Sequence, residues 1–546
     1  MDKKIKAKYF FIAALLFFFI LVPVLTVFSE ALMPEDRFAP AHVIHVVLQA
    51  ENLKTVFNSL LLGFLVVVTS SLLAVPLAFL LAKSRFARYR WLDILFLVPF
   101  MTPPYIASMG WILFVQRRGL FQQLFPFTGH LSEVFLSLAG LTLVMSFHSF
   151  PFMTTILKNA ILNLGDNLDE SARICGAGFR YRLRKITLPL LKGNFAIAML
   201  LVFVKTLSEY GTPATLGRRI GFAVFTTDIH RFASTAPIDF GTAASLSSVL
   251  VVICMVMWLL QTYVTDKNTY AVVGGKGNRS GSTSSRFVTL AGGAYIALLM
   301  LVTIGIPYFS VLSTSLIKLR GFGLAPGNFT LEHYATLLTE SDGGLDALLT
   351  STALAVASAT LVSIAGTLIV VVIRKAGRWK KVISGFALFP QMIPNIVLVI
   401  GLMLFWNKIY AFVPLYNTLG FMVLVYSVMF LPYSIQYVSS SLMQISGSLL
   451  MAGRVCGGSR GYVFRRITLP LVMKGILAGW MMTFIIVFRE LVASSLIAPP
   501  NTLTVSTFIL SEFEQGSVSV GMAMAVLCVL FTTAVLIGMN HLTGKR

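Results

Sequence analysis

Few residues in this chain are equipped for chemistry, and those that are stand in apolar surroundings. Lys205 and Glu209 lie four residues apart, Arg489 and Glu490 are neighbours, and the segments around all four are otherwise hydrophobic. Ionised side chains in such a setting are costly. They serve a gate or a path for cargo, or they form ion pairs that hold helices together, and both readings remain open for these four. The spacing of Lys205 and Glu209 puts them on one face if the segment is helical. Hydrolytic chemistry finds no support: none of the seven histidines sits in an H-E-x-x-H pattern or beside a matched nucleophile. Cys175, Cys254, Cys456 and Cys528 have no CxxC spacing, so neither a disulfide framework nor a metal site is expected. The nearest glycine cluster, Gly274-Gly275-Lys276-Gly277, lacks the spacing of a phosphate-binding loop. The chain is therefore expected to bind no cofactor and to be no enzyme.

The elements that carry these residues follow from composition. Of 546 residues, 57% are hydrophobic and only 12% charged, about half the charged share of a soluble domain. Apolar stretches long enough to cross a bilayer fall at about 9–29, 55–82, 92–115, 133–157, 194–210, 240–264, 287–312, 346–373, 382–407, 417–439, 476–498 and 518–540, which predicts about twelve transmembrane helices. The first has a lysine-rich front, but its apolar run is longer than that of a signal peptide and no small-residue cleavage site follows, so it reads as a retained helix. The net charge of +22 is concentrated in alternate loops: Lys83, Arg85, Arg88 and Arg90; Arg180, Arg182, Arg184 and Lys185; Arg374, Lys375, Arg378, Lys380 and Lys381; Arg465 and Arg466. That bias puts both termini of a multi-pass membrane protein in the cytoplasm. It also explains the basicity without nucleic acid as a partner. Asp228, His230 and Arg231 are expected near the outer face, in a docking or solvated role.

The chain repeats itself. Cys175-Gly176 through Ile186-Thr187-Leu188-Pro189 recurs 281 residues later as Cys456-Gly457 through Ile467-Thr468-Leu469-Pro470, and the same offset relates Glu209 to Glu490. An offset of 291 relates Pro99, Pro103 and Gly110 to Pro390, Pro394 and Gly401. The expected organisation is a first half at 1–264, a polar glycine- and serine-rich linker at 265–286 and a second half at 287–546. Six spans per half make the repeats parallel, with a pore on the pseudo-twofold.

Each half has a large cytoplasmic loop, about 163–192 and 444–474. The first runs Glu170-Ser171-Ala172, three residues, Gly176, nine residues, Ile186-Thr187-Leu188-Pro189. Asn167 is placed to cap a short helix with Glu170 reaching back to it. Gly176 and Gly178 break that helix, and a second amphipathic stretch is expected to stop at Pro189. This pattern resembles the Glu-Ala-Ala loop of binding-protein-dependent ABC importer permeases. The resemblance implies the all-α type I importer permease fold, a loop that docks the ATPase, two ATPase subunits and an extracytoplasmic substrate-binding protein. The second copy departs from the family: Met451-Ala452-Gly453 replaces Glu170-Ser171-Ala172, while Gly457 and Ile467-x-Leu469-Pro470 remain and Ser448 offers a cap. Unequal ATPase contacts follow. The fused layout, with Glu209 and the Gly211-Thr212-Pro213-Ala214-Thr215-Leu216-Gly217 stretch, expected to be irregular like its counterpart around Pro499-Pro500, resembles the ferric-iron permease group; related fused permeases are associated with thiamine, phosphonates and sugar phosphates. A secondary carrier, the reading from another class, would show inverted repeats and have no use for the loop.

Overall fold

The computed structural model describes residues 3–33, 37–96, 98–164, 167–267, 286–339, 343–374 and 376–543. Most of the expected linker, 268–285, lies outside them. The described chain is helical apart from its connections, with a single isolated bridge between Ile317 and Phe329.

Ten helices are long and apolar enough to cross a membrane, and one bent pair makes an eleventh candidate. That agrees with the expected count of about twelve; the stretch that is not one straight helix is the third of each half. Residues 92–115 form three pieces, Arg90–Leu95, Val98–Met101 and Pro104–Val115. Their counterpart, Trp379–Met392 with Asn395–Lys408, is bent by 109°. The cause is one proline in each: Pro103 (φ −55°, ψ 129°) and Pro394 (φ −55°, ψ 133°) precede the second limb in nearly the same extended conformation. Proline cannot donate to a preceding carbonyl and its fixed φ suits the start of a new helix. The limbs that follow are apolar all round, and ten of the twelve residues of Pro104–Val115 are buried, as expected of a helix at the centre of a bundle.

The molecule divides into two compact units that do not follow the order of the sequence: 47–228 with 252–329, and 1–46 with 229–251 and 330–546. In each, the opening span of one sequence half packs against the short buried limb of the other half. Within the first unit, a Cβ added to Gly110 would lie 2.7 Å from the Pro307 carbonyl oxygen, and the Tyr295 hydroxyl donates to the Leu73 carbonyl at 2.7 Å. Within the second unit, a Cβ on Gly401 would lie 2.5 Å from the Pro23 carbonyl oxygen, Phe18 meets Phe405 edge-on at 5.3 Å, and Phe19 stacks on Trp406. Gly110 and Gly401 are thus equivalent points of backbone approach, which only glycine permits.

Four prolines sit just after a wide turn. Phe17–Leu21, Leu183–Thr187, Leu301–Gly305 and Phe464–Thr468 are π-helical, closed by i→i−5 bonds from Val22, Leu188, Ile306 and Leu469, and the next residue is Pro23, Pro189, Pro307 or Pro470. The extra residue in the turn moves the preceding carbonyls out of the ring's way, so the helix passes through proline instead of ending there.

Candidate coupling loops and the glutamate hubs

The first of the two loops is a helical hairpin. Asn167–Ile174 ends at Gly176, whose φ is +79°. The Gly176 N–H donates to the Arg173 carbonyl and the Ala177 N–H to the Ala172 carbonyl, each at 2.9 Å. This is a Schellman stop, so the glycine is required by its left-handed backbone: an added Cβ would meet nothing within 4 Å. The second loop repeats it. Gly447–Val455 ends at Gly457 (φ +84°), with Gly457 N–H to the Arg454 carbonyl at 3.1 Å and Gly458 N–H to the Gly453 carbonyl at 3.0 Å.

The expected residues fall on exposed ground. Glu170, Ser171, Gly176, Met451, Ala452 and Gly457 are exposed, and Ala172 is half-buried. Beside each glycine an apolar side chain stands out into solvent, Ile174 and Val455, both 87% exposed; sequence reasoning passed over both, although the offset of 281 pairs them. Ile186 and Ile467 are half-buried, and the Ile467 side chain lies 2.5 Å from where a Cβ of Gly453 would be, closing the second hairpin. The proposed cap at Asn167 lies outside the described side chains. The second cap is Ser446, whose hydroxyl accepts from the Leu449 N–H at 3.4 Å, and not Ser448, which donates to Ser446. Pro189 and Pro470 do not stop their helices: Leu188, Pro189, Leu469 and Pro470 continue, past the wide turns, into the lever helices Arg180–Ser208 and Gly461–Phe488. The first lever is roughly 43 Å long at helical rise.

Glu209 and Glu490 stand at the far ends of these levers. The pair Lys205 and Glu209 does not share a helix face, because the helix ends at Ser208 and Glu209 is extended (φ −79°, ψ 132°). Its carboxylate turns onward and accepts from the Thr212 N–H with both oxygens at 3.1 Å. Lys205, over the Phe152 ring at 5.9 Å, lines a small polar cavity with Glu209, His148 and Thr212. The stretch after Glu209, expected to be irregular, is a short helical segment, with Pro213–Gly217 in π form. Glu490 does the same more fully: its carboxylate accepts from Val492 N–H at 2.8 Å, Ala493 N–H at 2.9 Å and Ser494 N–H at 3.2 Å, at the start of Val492–Ile497. That helix, rather than the bend at Pro499-Pro500, is the counterpart of 211–219. Arg489 is the residue that ends its lever, half-buried beside Glu490.

Each glutamate also binds the next helix through its own carbonyl. Thr226, in Phe225–Ser234, donates to the Glu209 carbonyl at 2.8 Å, and Ser506, in Val505–Glu514, donates to that of Glu490. Lever, short helix and following helix therefore meet at one residue in each unit. The hydroxyl partners were missed in the sequence; the available signal was a carboxylate followed by Thr212 at three residues or Ser494 at four. Asp228, expected near solvent, is buried at 4% exposure and receives the Thr55 hydroxyl. Among the described residues no three His, Cys, Asp or Glu side chains converge as a metal site.

A duplicated bundle of apolar helices, each copy with a helical hairpin joined to a long membrane-spanning helix, is the layout of a membrane permease. The chain belongs to the family described as binding-protein-dependent transport system inner membrane component, which matches residues 74–269 and again 363–546. It is a fused, two-half permease subunit of a type I ABC importer in the inner membrane. It is 24% identical to a ferric transport system permease protein of Actinobacillus pleuropneumoniae across 100% of this chain and 79% of that one. A putative ferric transport system permease protein of Haemophilus influenzae is 26% identical over 78% of this chain and 67% of its own length. A molybdenum transport system permease protein of Mycobacterium bovis is 30% identical, over 34% of this chain and 70% of its own.

Proposed function

We propose that this chain is the membrane pathway of a ferric-iron importer, driven by two ATPase subunits that dock on the 163–192 and 444–474 hairpins and supplied by an extracytoplasmic binding protein. The observation that carries the cargo is the similarity to a ferric transport permease over the whole of this chain, whereas similarity to sulfate and molybdenum permeases extends over about a third of it. Sulfate or molybdate is the second reading. Thiamine, phosphonate and sugar phosphate have no comparable observation.

The mechanism follows from the levers. Ile174 and Val455, with Glu170 on the first hairpin only, offer an apolar and polar contact to each ATPase. A Schellman stop holds each hairpin rigid, so displacement by a closing nucleotide dimer passes to the lever. At the far end the lever pulls on Glu209 or Glu490, which carries the short helix and the next helix with it. Lys205, Glu209, Arg489 and Glu490 thus act as a gate frame, and the carboxylates work through backbone N–H groups instead of by binding cargo. The sequence halves 1–264 and 287–546 remain the units of duplication, with no cofactor on this chain and both termini in the cytoplasm.

ATPase activity in proteoliposomes containing this chain, its ATPase and its binding protein tests the cargo. Stimulation by Fe(III) but not sulfate or molybdate is expected, and stimulation by an oxyanion alone would replace the cargo. Topology is tested separately. Cys175 and Cys456 are exposed on the hairpins, so a membrane-impermeant maleimide should label them in inverted vesicles and spare them in intact cells. Labelling from outside would invert the assignment.

A further inference from the structure

The two units differ at the ends of their short buried limbs, on the face the proposed topology places outside. In one unit Lys408, at the end of Asn395–Lys408, pairs with Glu30 at 2.7 Å. The offsets of 291 and 284 residues that relate Gly401 to Gly110 and Pro23 to Pro307 make Arg117 the equivalent of Lys408 and Thr314 the equivalent of Glu30. Arg117 therefore keeps the cation and has lost the acid. It does not stand alone: Arg117, Arg118, Arg320 and Thr314 line one open cavity. The three arginines are exposed, and none is paired with a carboxylate among the described residues.

The loops that present them are fixed by hydrogen bonds. Arg118 has φ +60°, held by its N–H donating to Gln122 Oε1 at 2.8 Å and by Gln123 Nε2 donating to its carbonyl at 3.1 Å. Gln123 Oε1 accepts from the Leu324 N–H at 3.1 Å, tying this loop to the one that carries Arg320. Asn328 closes that second loop, accepting from the Leu319 N–H at 2.9 Å and donating to the Leu319 and Gly323 carbonyls at 2.8 Å. Three guanidinium groups presented by braced loops, on the side that the proposed topology places outside, where cations are depleted, are suited to forked recognition of carboxylates.

We propose that the Arg117, Arg118 and Arg320 mouth is the docking point for carboxylates on the surface of the extracytoplasmic binding protein; this rests on the importer reading above. A binding protein is one asymmetric chain facing two similar units, so it must read positions where the units differ, and this is such a position. Exposed charges of this kind govern encounter rate and salt dependence, whereas a small anion would call for donors buried around it.

The test uses the full chain with its ATPase subunits in nanodiscs and the purified binding protein, with affinity measured across a salt series. Arg117→Gln, Arg118→Gln and Arg320→Gln combined should slow association about tenfold at low salt and flatten the salt dependence, while Glu30→Gln with Lys408→Gln leaves both unchanged. If the triple variant fails to assemble, Arg320→Gln alone should slow association about threefold. Wild-type rates and salt slope in the variants would overturn the proposal. So would loss of bound inorganic phosphate or phosphatidylglycerol with docking intact, which would give the mouth to a small anion or a lipid headgroup. A wild-type chain that binds no binding protein at any salt would bring down the importer reading itself, and this proposal with it.

Discussion

The two loop hairpins end alike and begin differently. Gly176 and Gly457 stop their helices with the same pair of backbone hydrogen bonds, yet the first presents Glu170 where the second presents Met451, 69% exposed. At the far ends of the long helices the inequality reverses: Glu490 gathers three backbone N–H groups where Glu209 gathers two, those of Gly211 and Thr212. The duplicated halves have thus kept the same helix stops and diverged in side chains, with the carboxylate on one hairpin and the more fully bonded glutamate on the other unit.

Four changes would break or sharpen that contrast. The largest effect is expected from Gly176→Val, which forces a β-branched residue into a left-handed backbone at about 1–2 kcal/mol. Uptake should fall at least about tenfold with the protein still in the membrane. Gly457→Val has the same backbone cost on the hairpin without the carboxylate and should reduce uptake less; equal losses would erase the division between hairpins. Next, Glu490→Ala and Glu209→Ala compare the hubs by thermal unfolding in detergent. Each orphaned donor costs about 1–3 kcal/mol, so the first variant should melt below the second, and the reverse order would refute the hub assignment. Glu170→Met makes the hairpins alike and should lower coupled ATPase activity about threefold, the scale of an exposed polar contact; Met451→Glu should not lower it. The smallest contrast is Gly110→Ala against Gly401→Ala, each overpacked by about 1–3 kcal/mol. Their melting points should drop together, and divergence would mean that the two approach points are not equivalent.

Much of this was legible in the sequence because it is local or repeated. Hydrophobic length gave most of the spans, the offset of 281 gave the two halves, and positive φ at the hairpin glycines was readable from Gly176 and Gly457. What was missed depends on context. Pro189 reads as a stop because proline ends an ordinary helix, and nothing local announces the wide turn that lets it pass. Lys205 and Glu209 read as a pair because four residues is one helical turn, but the helix ends at Ser208, and Glu209 takes its partners from Thr212 and Thr226 further along the chain. The partnership of Pro23 with Gly401 joins residues hundreds of positions apart, beyond any window of periodicity.

That partnership also sets the order in which the protein is made. The unit of residues 47–228 and 252–329 has all its parts once Phe329 is synthesised, but residues 1–46 belong with 330–546. At about 5–20 residues per second, the opening helix waits roughly 15–60 s in the bilayer before its partners begin to emerge. Its sequence suits the interval: Ala7–Leu32 is the most hydropathic of the candidate spans and can rest in lipid by itself, leaving the ribosome's last helices to complete the fold that the first one started.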